Sequence, residues 1–127
     1  MMIEYVRVRE DVKPPERANP SDAGLDVFFC PDDAAVSAIT IPVGGSVILA
    51  TGLRFGVPHG YMLQAMNRSG IAAKRSLVVG AHVIDSGYDG EVFINLHNIG
   101  KVTQVVKVGT KIAQLVMIPV VPFRALE

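Results

Sequence analysis

Apolar residues in this chain come in short runs rather than at helical spacing. The runs "IEYVRV", "LDVFF", "AITIPV", "SVILATGLRFGV", "YMLQAM", "LVVGAHVI", "EVFINLHN" and "KIAQLVMIPVV" are rich in Val, Ile, Phe and Leu, residue types that suit a pleated, half-buried surface. Turn formers separate them: Pro20-Ser21-Asp22, Pro31-Asp32-Asp33, Gly44-Gly45, Pro58-His59-Gly60, Gly87 to Gly90, Asn98-Ile99-Gly100 and Gly109-Thr110. Short strands at this spacing predict an all-β sandwich, jelly roll or barrel. The pre-proline residues Ile41, Val57 and Ile118 favour extended backbone and agree with strands. One stretch departs from the pattern. "SGIAAKRS", residues 69–76, predicts a short helix, with Ser69 as its N-terminal cap and Lys74 and Arg75 at the end that favours cations. The two prolines of "VMIPVVPFRALE" cannot donate to a ladder. They place this segment at a sheet edge, or in an arm that leaves its own sheet.

The 127 residues fit one domain, 1–127. Half of them are apolar and 19% are charged, which argues against disorder. Twelve basic residues balance twelve acidic ones, so no long-range field draws the chain to nucleic acid or an acidic membrane. A polyanionic ligand must therefore be small and held by local groups. The single Cys30 leaves no internal disulfide framework, suits a reducing compartment, and reads as a buried apolar residue after Phe28 and Phe29. "MMIEYVRVRE" lacks the apolar run of a signal peptide, and no apolar segment is long enough to span a bilayer. The expectation is a soluble intracellular domain with no nucleic-acid and no membrane partner. His59, His82 and His97 have no metal-ligand spacing and read as structural or surface residues.

Four polar stretches interrupt the apolar runs. In "NRSGIAAKR", Arg68 offers a planar set of donors, Ser69 a hydroxyl and Gly70 a backbone open to close approach. At a helix start these suit a phosphate, unless Ser69 is simply a cap and Arg68 a solvated charge. In "SDAGLDVFF", Asp26 stands at the mouth of a strand. It is either an Asx-type turn residue or a carboxylate that orients waters around a Mg²⁺-bound phosphate. In "HVIDSGYDGEV", Val83 and Ile84 read as buried strand holding Asp85 at its end. Asp85 is then either a turn former in a hairpin or a partly desolvated base for a water nucleophile. Tyr88, between Gly87 and Gly90, can lay its ring on a sugar or base. In "GTKIAQL", Gln114 is an amide among apolar neighbours and needs a partner from backbone, phosphate or water.

Taken together and in this order, "AGLDV" (23–27), "RSGIAA" (68–73), "VIDSGYDGEV" (83–92) and "GTKIAQL" (109–115) resemble the motifs of the trimeric dUTP diphosphatase (dUTPase) family. The resemblance implies a distorted jelly-roll or barrel-like β fold with one short helix. It implies a homotrimer with sites at subunit interfaces, and hydrolysis of dUTP to dUMP and diphosphate with Mg²⁺ as cofactor. By similarity Asp85 is the base that activates water, and Gln114 contacts phosphate or that water. Arg68, Ser69 and Gly70 grip the phosphates, and Asp26 holds the metal through water. Val83, Ile84 and the backbone around Phe93 line the uracil and deoxyribose pocket, where Tyr88 excludes a 2′-hydroxyl. Three departures stand out. "VPFRALE" is not the family's glycine-rich fifth motif, and Arg124 does not take over its role, so the domain is expected to end before that motif. His82 and Asn67 stand where Gly and Pro are usual. Gly87 stands where a second acidic residue is common. The related dCTP deaminases carry a Glu where this chain has Asn95, which disfavours deamination; a nucleotide-binding regulatory protein of the same fold is the remaining alternative.

Overall fold

In the computed structural model, which describes residues 1–127, the runs become eleven strands and one helix. The first half holds β1 (Glu4–Arg7), β2 (Leu25–Phe28), β3 (Ala38–Ile41), β4 (Ser46–Ala50), β5 (Leu53–Gly56) and β6 (Tyr61–Met66). After helix α1 (Ser69–Arg75) come β7 (Leu77–Val79), β8 (Val83–Ile84), β9 (Phe93–Asn98), β10 (Gln104–Lys107) and β11 (Lys111–Pro119). They pair in four sheets of order β2-β11-β6-β8, β4-β9-β7, β1-β5 and β3-β10. Every pairing is antiparallel. The result is the all-β, jelly-roll-like arrangement that the spacing of the runs predicts. No helix is long and apolar enough to cross a membrane.

Period-two alternation decides what each strand buries. Leu53 and Phe55 of β5 point inward while Arg54 and Gly56 face out. Ile94, Leu96 and Asn98 of β9 do the same. With Leu49, Leu77, Ile112, Leu115 and others they join one apolar core cluster, which includes the buried Cys30. Burying each Leu or Ile side chain contributes roughly 1.5–3 kcal/mol.

The structure departs from the sequence expectations at three places. The run 46–57 is not one strand: it breaks at Thr51-Gly52, where Gly52 has φ +71°. The run 77–84 also breaks, sending Leu77–Val79 to β9 and Val83–Ile84 to β6, so one apolar run serves two sheets. β10 was not anticipated, because "QVVK" holds too few apolar residues to register as a run. The C-terminal segment agrees with its expectation: β11 is paired on both sides only near its middle, and from Val116 on it pairs with β6 alone. Lys111 to Leu115 pair with β2, and Gln114 to Pro119 pair with β6. Pro119 is tolerated because β2 no longer reaches it. Beyond it, residues 121–127 are exposed and carry no regular structure.

Helix α1 differs in its cap. Arg68, with φ −91° and ψ 130°, holds the N-cap position without a side-chain cap bond, so Ser69 is the first helical residue and not the cap. The hydroxyl is thereby released from the helix end. At the other end Ser76 is left-handed (φ 53°), its N–H bonded to the Ile71 carbonyl, and Arg75 Nε donates to Gln104 Oε1 at 2.9 Å.

The Thr51-Gly52 corner allows no other residue type. A Cβ built on Gly52 would lie 2.2 Å from Val12 Cγ2, and Val12 is itself buried. Gly52→Ala is expected to destabilise the fold by about 3 kcal/mol through overpacking and backbone strain. Urea unfolding followed by circular dichroism at fixed protein concentration measures this; a near-neutral result would mean that the corner relaxes freely.

Candidate active site

Three of the four polar stretches meet around one strand. Register sets this: Gln114 of β11 lies opposite Asp26 of β2 on one side and opposite Met66 of β6 on the other. Two residues past Met66, Arg68 turns back toward β2 and its Nε donates to Asp26 Oδ1 at 3.0 Å. Lys111 Nζ stands 3.4 Å from the other carboxylate oxygen, Oδ2. Asp26 is therefore not an Asx-turn residue. It is a buried carboxylate, 8% exposed, held between two cations that offset its desolvation. Arg68 is not a solvated charge either. Its Nε is committed to Asp26, and its two terminal nitrogens are left for an anion.

Asp26, Arg68 and Gln114 line a polar cradle of about 260 Å³ with Ser69, Asn19, Asp22 and Gly24. The Gln114 side chain donates from Nε2 to the Asn67 carbonyl at 3.0 Å, tying β11 to the turn that carries Arg68. The partner that an amide needs here is thus backbone, and Oε1 faces Gly24, where a Cβ would meet it at 2.9 Å. Asn67, in a place where Pro was expected, accepts the Val79 N–H on Oδ1 at 2.7 Å and so fixes the same turn from below. Gly70 is exposed at the first turn of α1, outside the residues that line the cradle.

The fourth stretch lies elsewhere. Val83, Ile84, Asp85, Tyr88 and Phe93 line a second pocket of about 210 Å³, a mostly apolar slot completed by Ala65, Ala81, His82 and Val92. Ile84 lies opposite Leu63, and Gln114 opposite Met66. Three residues of β6 separate the two levels, about 10 Å at ~3.3 Å per residue. Asp85 continues away from the Arg68 end. Within one chain the carboxylate and the guanidinium fork thus stand in different pockets.

"HVIDSGYDGEV" is not a hairpin. β8 pairs with β6, whereas β9 pairs with β4 and β7, so the segment crosses from one sheet to another and the slot opens in the fork between them. This geometry also corrects the burial expectation. Val83 is 55% exposed and Ile84 half-buried: both line the slot, and Ile84 also packs against the core. Asp85 is exposed in the single chain rather than partly desolvated. It initiates a turn, with its carbonyl accepting the Tyr88 N–H at 3.1 Å. The Tyr88 hydroxyl donates to the Glu91 carbonyl, which fixes the ring across the turn.

Several residues that shape these pockets carried no sequence signal. Asn19 carried no reading and Asp22 read only as a turn former, although Asp22 Oδ2 accepts the Asn19 N–H at 2.9 Å and both line the cradle. His82 read as structural or surface, yet it lines the slot, one ring nitrogen 3.1 Å from the Gly80 carbonyl. Asn95 and His97 bond to each other at 3.0 Å, and Asn95 also donates to the Val47 carbonyl at 3.1 Å, supporting the strand behind the slot. No group of three or more His, Cys, Asp or Glu side chains is placed to hold a metal.

The family model described as dUTPase matches residues 10–126. A deoxyuridine 5'-triphosphate nucleotidohydrolase of Gloeobacter violaceus is 42% identical over 108 residues, 84% of this chain and 71% of that protein. One from Desulfotalea psychrophila is 37% identical over 120 residues, 93% of this chain and 77% of that protein. The fold matches the dUTPase of phage phi11 of S. aureus with a TM-score of 0.89 at 23% identity, covering 100% of this chain and 96% of that one. A mutant of that phage protein is described with a structural Mg(II) ion. The fold also matches a mutant of the Staphylococcus bacteriophage 80alpha dUTPase with dUpNHpp, at a TM-score of 0.88 and 22% identity, covering 99% and 87% of the two chains. By the extent of the family match and the identity to these curated relatives, the chain belongs to the dUTPase family.

Proposed function

We propose that the chain hydrolyses dUTP to dUMP and diphosphate, working in the intracellular nucleotide pool as a homotrimer whose sites are shared between protomers. The observation that carries this is the division of polar groups between two pockets. One is an apolar slot with a carboxylate at its mouth; the other is a polar cradle with an open guanidinium fork. A nucleoside triphosphate needs both at once, and a single chain holds them apart. Joining the slot of one protomer to the cradle of a second completes the site and covers Asp85.

In that site uracil enters the fork between β8 and β9. There the outer backbone edge of Phe93 has no strand partner, since β7 pairs with β9 only from Leu96 onward. Backbone groups at such an edge match the O4 acceptor and N3–H donor of uracil. Val83 and Ile84 pack the base, and Tyr88 packs the deoxyribose closely enough to exclude a 2′-hydroxyl. The terminal nitrogens of Arg68, the Ser69 hydroxyl and the Gly70 N–H bind phosphate oxygens. Water attacks the α-phosphorus: its oxygen forms a bond to phosphorus, the bond from phosphorus to the bridging oxygen breaks, and diphosphate leaves. Asp85 accepts the proton that the water loses, and the Gln114 amide helps to orient phosphate or water.

The residues also fit Mg²⁺. Each Asp26 oxygen faces one cation and keeps accepting capacity. A carboxylate so engaged suits contact through water to an ion that keeps its hydration shell and binds chiefly through the triphosphate. When bound, the ion neutralises phosphate charge. Deamination finds no support, because Asn95 is an amide committed to Val47, Ala81 and His97.

Asp85→Asn is expected to lower kcat for dUTP by about 10²–10⁴-fold while nucleotide binding, measured by calorimetric titration, persists. Hydrolysis at the parental rate would remove Asp85 as the base. Tyr88→Ala is expected to raise kcat/KM for UTP relative to dUTP by on the order of tenfold or more, equivalent to ~1.4 kcal/mol of lost discrimination; continued exclusion of UTP would refute the sugar gate. Shared sites make a further expectation. Co-refolding inactive Asp85→Asn chains with inactive Arg68→Ala chains restores activity, since some interfaces pair an intact slot with an intact cradle. No recovery in mixed trimers verified by mass would refute site sharing.

A further inference from the structure

The guanidinium of Arg9, which the proposed reaction leaves unused, is engaged through both terminal nitrogens, while its buried Nε has no hydrogen-bond partner. Its Nη1 donates to Glu91 Oε1 at 3.1 Å, while Nη2 lies 3.4 Å from Oε2 and donates to the Cys30 carbonyl at 2.7 Å. Both side chains are mostly buried, with 22% and 17% exposed. The hydrogen bond that Arg9 donates to the Glu91 carboxylate holds the Arg9 pKa above its ordinary value. Glu91 Oε2 also accepts the Gly52 N–H at 3.0 Å, so the carboxylate is gripped from the N-terminal segment and from the corner between β4 and β5.

Glu91 stands directly behind the slot. Its own carbonyl is the acceptor for the Tyr88 hydroxyl, and the next residue, Val92, lines the slot. Val92 is in turn locked by its N–H to the Leu53 carbonyl at 2.8 Å and by Thr51 Oγ1 to its carbonyl at 2.6 Å. The backbone around residue 91 thus has a fixed side after it and a turn before it. The Glu91 carbonyl shares its peptide plane with the Val92 N–H, so the bond to Leu53 fixes one end of that plane and the Arg9–Glu91 pair holds the Cα at the other. We propose that Arg9 and Glu91 are positioning residues for the sugar gate: the pair fixes the Glu91 carbonyl, that carbonyl holds the Tyr88 hydroxyl, and the held ring sets discrimination between deoxyribo- and ribonucleotides. This rests on the reading of Tyr88 as the gate.

Removing Arg9 leaves a mostly buried carboxylate without its charge partner, a state that a side chain escapes by turning toward water. Glu91 then releases Gly52, its carbonyl shifts, and the Tyr88 hydroxyl follows or loses its acceptor. The gate works on the clearance of one hydroxyl, and a displacement of about 1 Å at a reacting site costs ~10²-fold in rate. Small movements of the ring therefore register as lost selectivity.

The test compares kcat/KM for UTP and dUTP in Arg9→Met, Arg9→Lys, Glu91→Gln and Tyr88→Ala, with the thermal midpoint of each. The UTP-to-dUTP ratio belongs to folded molecules, so loss of stability alone leaves it unchanged. Arg9→Met is expected to raise the ratio about tenfold, a part of that ~10²-fold scale. Arg9→Lys, which keeps the charge but not the fork, raises it less. In a Tyr88→Ala background Arg9→Met adds nothing, as coupling through one residue requires. If Tyr88→Ala raises the ratio while Arg9→Met and Glu91→Gln lower only the midpoint, the pair is a staple of the fold and the proposal fails alone. If Tyr88→Ala leaves the ratio unchanged, the gate fails and takes the proposal with it. Should Arg9→Met not fold, Arg9→Lys and Glu91→Gln give the same readings.

Discussion

The register of β11 is the constraint on which the site depends. This strand is hydrogen-bonded on both sides near its middle, so Gln114 faces Asp26 and Met66 at once. A slip of one residue would turn Gln114 to the opposite face and part it from Asn67. Three stretches distant in sequence are thereby brought to one end of one sheet. The pairing with β2 shifts register between Lys111 and Ala113, where the Lys111 side chain reaches Asp26. Electrostatics then completes what register begins. A carboxylate as buried as Asp26 would be costly alone, and two cations make it tolerable while orienting one of them. By holding Arg68 through Nε, Asp26 directs the rest of the guanidinium toward the cradle.

The same sheet explains why the fourth stretch stands apart. β8 is only two residues long and pairs at the Leu63 level of β6, beyond which the chain leaves for β9 in another sheet. That departure opens the slot and carries Asp85 away from Arg68. A fold that kept Asp85 beside Arg68 in one chain would have to close the fork and lose the slot. Separation of the two pockets within the chain follows from this topology, and under the proposed reading completion between protomers couples assembly to chemistry.

Much of this was legible in the sequence, and the failures share a cause. Alternating apolar runs located most strands because burial on one face is a local property. The helix was placed within a residue, although its cap was not: Ser69 favours caps in general, but Arg68 takes the extended conformation here. The four polar stretches were found because turn residues and chemistry coincide in them. What sequence does not encode locally is which strand pairs with which. Hence "HVIDSGYDGEV" read as a hairpin, and 77–84 as one strand. Val83 read as core because apolar runs line surface slots as readily as cores, whereas Ile84 does pack against the core. Arg9 and Glu91 lie 82 positions apart, and no local pattern announces a partner at that range.

The slot and the cradle are held by different physics, and each suits the task proposed for it. The cradle is set by charges: Asp26 between Arg68 and Lys111, with a planar fork left open. Ionic contacts of this kind tolerate small shifts and suit a flexible polyanion whose oxygens are interchangeable. The slot is set by backbone. Val92 is locked to Leu53 and Thr51, Asp85 to Tyr88, and the Tyr88 hydroxyl to Glu91. Directional bonds to main-chain atoms fix positions more sharply than a Coulombic field does. Telling one base edge or one hydroxyl from another is a matter of fractions of an ångström, so selectivity belongs in the half that the core and its corner hold still.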